Sequence, residues 1–113
     1  VKAGEIVEWC RKLNLRICFD TSHTRLTCNH FGLDFYEFAK KIAPYSAHLH
    51  LGDAVGINGE GLQVGDGEID FLQLGEIMNE GCPSATFIPE IWQGHKNGGE
   101  GFWIALERLE NTL

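Results

Sequence analysis

The sequence predicts an α/β fold built on a parallel sheet, and three observations predict it. Short apolar runs alternate with amphipathic stretches in the order α-β-α-β-α-β-α. Each connection between strands is long enough to hold a helix, as parallel strands require. Each strand ends in a residue that can bind a cation or a proton, at the edge where parallel α/β folds place their ligands.

The elements follow in order. Ile6, Trp9, Cys10 and Leu13 hold the 0, 3, 4, 7 spacing of a helix over residues 3–13. Leu15 to Phe19 is a short β-favouring run ending at Asp20, expected to be buried on both faces. Residues 21–33 are polar and read as irregular. Asp34-x-x-Glu37 resembles a capping box for a helix carrying Phe35, Phe38, Ala39 and Ile42, which Pro44 stops. Ala47 to Leu51 is the second strand. Residues 52–69, with six glycines, read as one long loop of the functional or mobile kind. Asp70-x-x-Gln73 starts a helix through Leu74, Ile77 and Met78 to about Asn79, with Gly81 as its stop. Ala85 to Ile91 is the third strand, with Pro89 near its end, where a lost ladder donor costs least. A Gly-rich loop over 92–100 leads into a fourth helix through Phe102, Ala105, Leu106 and Leu109.

Composition narrows the function classes. The chain is 43% hydrophobic and 22% charged, as in a globular domain, and no apolar run approaches the ~20 residues that span a membrane. The formal charge is −7, and the nine Lys and Arg form no basic stripe, so nucleic acid is not expected as a partner. Cys10, Cys18, Cys28 and Cys82 contain no CxxC pair and are expected to be reduced, mostly buried thiols of a cytoplasmic protein. A Cys28–His30 contribution to a metal site is a weak alternative. The start, Val1-Lys2-Ala3-Gly4-Glu5, lacks a secretory apolar region and an initiator Met, and reads as truncated.

The chemistry gathers at three strand ends: Asp20-Thr21-Ser22-His23, His48-Leu49-His50-Leu51-Gly52-Asp53 and Pro89-Glu90-Ile91-Trp92. Carboxylates and imidazoles from neighbouring parallel strands converge at such an edge. Mixed N/O donors with open positions suit Mn²⁺, Co²⁺, Zn²⁺ or Mg²⁺ alike. Asp20 also reads as a cap for the turn that follows it. His48 and His50 share a face by the strand period of two, so one of them reaches the metal and the other lies a layer deeper, hydrogen-bonded. Glu90 is the hardest to explain structurally, because a carboxylate in an apolar strand needs a partner.

Phe19-Asp20-Thr21-Ser22-His23, His48-x-His50-x-x-Asp53, Gly65-Asp66-Gly67-Glu68-Ile69-Asp70-Phe71 and Pro89-Glu90 together resemble the xylose isomerase-like superfamily, over about residues 5–110. That group includes sugar phosphate isomerases and epimerases and endonuclease IV. The resemblance implies that residues 1–113 are the C-terminal portion of a (β/α)8 barrel, with about three parallel strands and four helices; a whole barrel needs roughly 250 residues. It implies Asp20, His50 (rather than His48) and Glu90 as metal ligands, and Glu90 also as a proton carrier. His23 would touch substrate, as in the epimerases, or a further metal, as in endonuclease IV, and Asp53 would lie near substrate. A further glutamate ligand of the family has no counterpart before Asp20. The Asp-x-His pair of the endonuclease branch is replaced by Gly59-Glu60-Gly61.

The expected function is therefore metal-dependent isomerisation or epimerisation of a sugar or sugar phosphate through an enediolate. A phosphodiesterase like endonuclease IV and a non-catalytic barrel fragment are the alternatives. Gly65 and Gly67 would let backbone approach an anionic substrate at the helix capped by Asp70, or form a docking turn only. Trp92 would stack on a sugar or pack at the rim. His95-Lys96 would contact phosphate or stay solvated. Three strands cannot close a barrel, so the isolated 113 residues are expected to be inactive, to aggregate or to self-associate as a homo-oligomer.

Overall fold

A computed structural model describes residues 2–111. Helix α1 (Ala3–Leu13) leads into strand β1 (Ile17–Asp20), then α2 (Thr21–Phe31) and α3 (Phe35–Ile42). A 3-10 turn over Ala43–Tyr45 contains Pro44 and delivers β2 (Ser46–Leu51). A hairpin of β3 (Asp53–Val55) and β4 (Gly59–Leu62) follows, then α4 (Phe71–Gly81), β5 (Thr86–Pro89) and α5 (Lys96–Glu110). The three long-range strands form one parallel sheet in the order β1-β2-β5, and the hairpin forms a separate antiparallel pair. The fold is α/β, and the sheet is not closed into a barrel.

Strand period decides which side of the sheet is core. Phe19, Leu49 and Leu51 turn toward the helices and are buried with Phe35, Phe38 and Ile42 of α3 and Phe71, Leu74 and Met78 of α4. The alternating residues Cys18, His48 and Thr86, then Asp20, His50 and Ile88, share the opposite face in register. That face is partly open: Cys18 and Ile88 are exposed. The strands are thus covered on one face and not on both, because helices lie against one side only. Trp9, Leu13 and Leu15 are likewise exposed, so only part of the α1 stripe is used in packing.

Helix ends follow their caps. Asp34 Oδ1 accepts from the N–H groups of Tyr36 and Glu37, and Asp70 Oδ1 from those of Leu72 and Gln73. Glu37 does not complete a capping box; its carboxylate takes Lys40 at 3.1 Å instead. Gly81 is the last residue of α4 and not its stop. A Cβ there would lie 2.6 Å from the Ala43 Cβ, so this glycine lets the helix end press on the 3-10 turn.

Two segments differ from expectation. Residues 21–31 are a helix, whose polar composition hides it: Asp20 caps it by accepting from His23 N–H at 2.9 Å, and Gly32 ends it in a left-handed conformation. Residues 53–69 are not a free loop. The buried Asp53 carboxylate accepts four backbone N–H groups: Ala54 and Ile69 on Oδ1, Gly65 and Gly67 on Oδ2, all at 2.8–3.0 Å. Gly67 sits so close to Asp53 and the Ala54 carbonyl that any side chain would collide with them. Glu68 adds a second clip, accepting from Gly56 N–H and from the Asn29 side chain.

Removing this carboxylate leaves buried donors unsatisfied. Asp53→Ala is expected to lower unfolding stability by about 3 kcal/mol, measured by urea titration. A change under about 0.5 kcal/mol would show that the loop holds without it.

Candidate metal centre

The site is assembled by register. Asp20 lies directly opposite His50 across the β1–β2 pair, and Glu90 follows β5 two residues beyond Ile88, the residue opposite His50. Glu90 N–H donates to the Leu51 carbonyl at 2.8 Å, which extends the ladder by one bond and fixes the direction of its side chain. His50 Nδ1 is 2.7 Å from Glu90 Oε2 and 3.9 Å from Asp20 Oδ2. Asp20, His50 and Glu90 each offer a ligand atom, all within 4.8 Å of one another. Two carboxylates and an imidazole in that space are a donor set for a divalent cation. His48 is one layer deeper, opposite Cys18, with Nδ1 2.7 Å from Thr86 Oγ1, so it is engaged elsewhere.

His23, on the first turn of α2, joins the triad to the hairpin. Its Nδ1 is 3.0 Å from Asp20 Oδ2, and its Nε2 is 2.6 Å from Glu60 Oε2 on β4. The hydrogen bond to Asp20 holds the His23 imidazole above its ordinary value of 6.5; burial opposes that shift, and Glu60 adds to it. Two hydroxyls tie the elements together. Thr21 Oγ1 donates to the Gly52 carbonyl at 2.8 Å and accepts from Gly52 N–H. Ser22 Oγ donates to the Asp53 carbonyl at 3.0 Å and accepts from Gly61 N–H at 2.9 Å. The Trp92 N–H then donates to the Gly61 carbonyl at 2.8 Å, which brings the segment after β5 against the hairpin.

These walls enclose an open cleft of about 330 Å³, lined by Asp20, Ser22, His23, Glu60, Glu90, Trp92 and His95 among others. Trp92 is 77% exposed among the described residues. Eight sequence candidates end up in unequal places. Asp20, His23, Glu90 and Trp92 meet in the cleft, and His50 contacts two of them. Asp53, Gly65 and Gly67 do not line it. Asp53 is fully buried with its oxygens occupied by loop amides, two of them from Gly65 and Gly67. Those glycines therefore serve the loop, and the amides expected to meet an anion already have one inside the protein. Cys28 is fully buried and His30 packs edge-on to Phe31, so the Cys28–His30 pair is no part of the site.

Sequence reasoning missed Glu60. It belongs to a Gly-x-Gly stretch that reads as flexible, and only the hairpin pairing shows that it faces the strand ends. No helix among the described residues is long and apolar enough to cross a membrane. Neither a scan against protein-family models nor a search of curated proteins gives a match.

In the metal-free protein the raised His23 value has a definite sign. The group contributes stability fully below about pH 6.5, and that contribution is lost as pH rises through the higher folded value. An NMR titration is expected to place the His23 midpoint above 6.5, and Asp20→Asn to move it down. A midpoint at or below 6.5 would contradict the geometry.

Proposed function

We propose that this chain is a portion of a (β/α)8 barrel of the xylose isomerase-like kind, and that the whole barrel isomerises or epimerises a sugar with a divalent metal held in part by Asp20, His50 and Glu90. The observation that carries the reading is the convergence of three ligand atoms within 4.8 Å at the C-terminal ends of adjacent parallel strands. Two carboxylates and a neutral imidazole balance the charge of a divalent ion, and Mn²⁺, Co²⁺, Zn²⁺ and Mg²⁺ all accept such donors. The cleft beside them is of small-molecule size.

A divalent ion held by Asp20, His50 and Glu90 would supply Lewis-acid charge to a substrate carbonyl and so acidify the neighbouring C–H. The protein groups do the rest. Glu90 takes one of the two acid/base roles in moving the proton, and a partner carboxylate from another strand of the barrel takes the other. His23, held by Asp20 on one ring nitrogen and Glu60 on the other, orients a sugar hydroxyl. The exposed Trp92 ring offers a face to the apolar side of a sugar. Asp53, Gly65 and Gly67 act at one remove, by fixing the hairpin.

The test is metal content followed by activity. Metal-stripped protein is expected to take up one divalent ion per chain and to interconvert an aldose and a ketose, or two epimers, with solvent deuterium entering at the reacting carbon. Glu90→Gln is expected to lower turnover by about 10²–10⁴-fold. Absence of a stoichiometric divalent ion in intact protein would refute the proposal.

A further inference from the structure

Three exposed positions put a glycine directly after an asparagine or aspartate: Asn58-Gly59, Asp66-Gly67 and Asn97-Gly98. In such a pair the glycine nitrogen can attack the preceding side-chain carbonyl, because no Cβ stands in the way. Surroundings decide which pair is free to react. The Gly67 N–H is held by Asp53 Oδ2 at 2.9 Å, and the Asp66 carboxylate by Arg108 at 3.1 Å. The Asn97 carboxamide donates to Glu100 Oε2 at 3.2 Å from a backbone already in the left-handed region. Asn58 differs. It is exposed in the turn over residues 56–58 that joins β3 to β4, and its carboxamide has no hydrogen-bond partner among the described residues.

The two sides of this tip are held unequally. Gly56 is clamped, its carbonyl taking the Asn29 side chain at 2.7 Å and its N–H donating to Glu68 at 3.2 Å. On the other side the Asn58 carbonyl accepts from Glu60 N–H at 3.1 Å, which is where β4 starts. Exposed loop tips open at low cost, so the Asn58 side has the freedom that ring closure needs.

We infer that Asn58-Gly59 is a self-modification site, and that its conversion to isoaspartate releases Glu60 from His23. The Gly59 nitrogen bonds to Asn58 Cγ, the Cγ–Nδ2 bond breaks, and ammonia leaves with the proton from the Gly59 nitrogen. Water then opens the cyclic imide. Cleavage at Cγ leaves aspartate; cleavage at the main-chain carbonyl leaves isoaspartate. One water is consumed, one ammonia is released, and nothing is oxidised or reduced. Isoaspartate adds a methylene to the main chain and turns the carbonyl that held Glu60 N–H into a free carboxylate. The pairing of Gly59 with Val55 then shifts, and with it the contact of Glu60 with His23 and the bonds of Gly61 to Ser22 and Trp92.

Full-length protein is aged at neutral pH, and isoaspartate is counted by enzymatic carboxyl methylation and located by peptide mass spectrometry. Position 58 is expected to convert at least about fivefold faster than Asn97, the weight of one hydrogen bond. Exchange of the Gly61 and Trp92 amide protons, read by NMR, is expected to rise at least about tenfold in the converted protein. Asn58→Gln, whose longer side chain closes its ring far more slowly, is expected to keep both amides protected after the same ageing. Conversion at Asn58 no faster than at Asn97 would overturn the inference. So would unchanged exchange in protein converted at position 58, or an equal loss of protection in aged Asn58→Gln.

Discussion

The Asp53 carboxylate is the constraint on which the rest of the site depends. It is fully buried, which is tolerable for an ionised group only where hydrogen bonds replace lost water. Four backbone N–H groups, from residues up to sixteen apart in sequence, provide that replacement. Satisfying one charge thus folds residues 53–69 onto themselves. The folded loop presents β4 toward the strand ends, and β4 carries Glu60 and Gly61. Gly61 in turn bonds the segment after β5. A residue that never faces the cleft decides the position of one of its walls.

The strand ends themselves are joined by hydroxyls. A parallel sheet sets the spacing of its strands, but it does not set where the connecting segments go once the ladder stops. Thr21 and Ser22 do that. Each sits in the first turn of α2, where helix geometry holds its backbone, and each both donates and accepts. Thr21 pins the turn at Gly52 and Ser22 pins the hairpin at Asp53 and Gly61. With α2 anchored this way, Asp20 is oriented twice: by the strand on one side and by its cap bond to His23 N–H on the other. The cap bond uses one oxygen of Asp20 only: Oδ1 takes the amide, and Oδ2 faces His23 Nδ1 and His50.

Much of this was legible in the sequence, and the part that was not has physical reasons. The three long-range strands, α1, α3, α4 and most caps announce themselves through periodicity and Asp residues at helix starts. The shared face of His48 and His50 follows from strand period alone. The choice between them does not, because it depends on which residue of β1 stands opposite; the register Cys18↔His48 and Asp20↔His50 decides it. Helix α2 was hidden because its buried residues are Thr21, Ser22 and Cys28, so no apolar stripe marks it. The hairpin was hidden because Gly59-Glu60-Gly61 has little strand propensity, and tertiary bonds rather than side-chain alternation hold it. The resemblance implies Asp53 near substrate, but a matched position carries no side-chain direction after a strand ends, and the loop amides take its carboxylate.

The row beneath the triad gives the site its chemical character. Cys18, His48 and Thr86 lie side by side across the sheet, one layer below Asp20 and His50. Burial first, and then the negative charges of Asp20 and Glu90, push the Cys18 thiol up from its ordinary value. The same two carboxylates that gather at the strand ends thus disfavour a further negative charge in the row below. His48 is satisfied by the Thr86 hydroxyl and adds no formal negative charge to the layer. The formal negative charge of the region is thereby confined to the carboxylates above, on atoms that face the cleft or each other. The donors gathered at this edge are therefore carboxylate oxygens and imidazole nitrogen, a set that hard and borderline divalent ions accept.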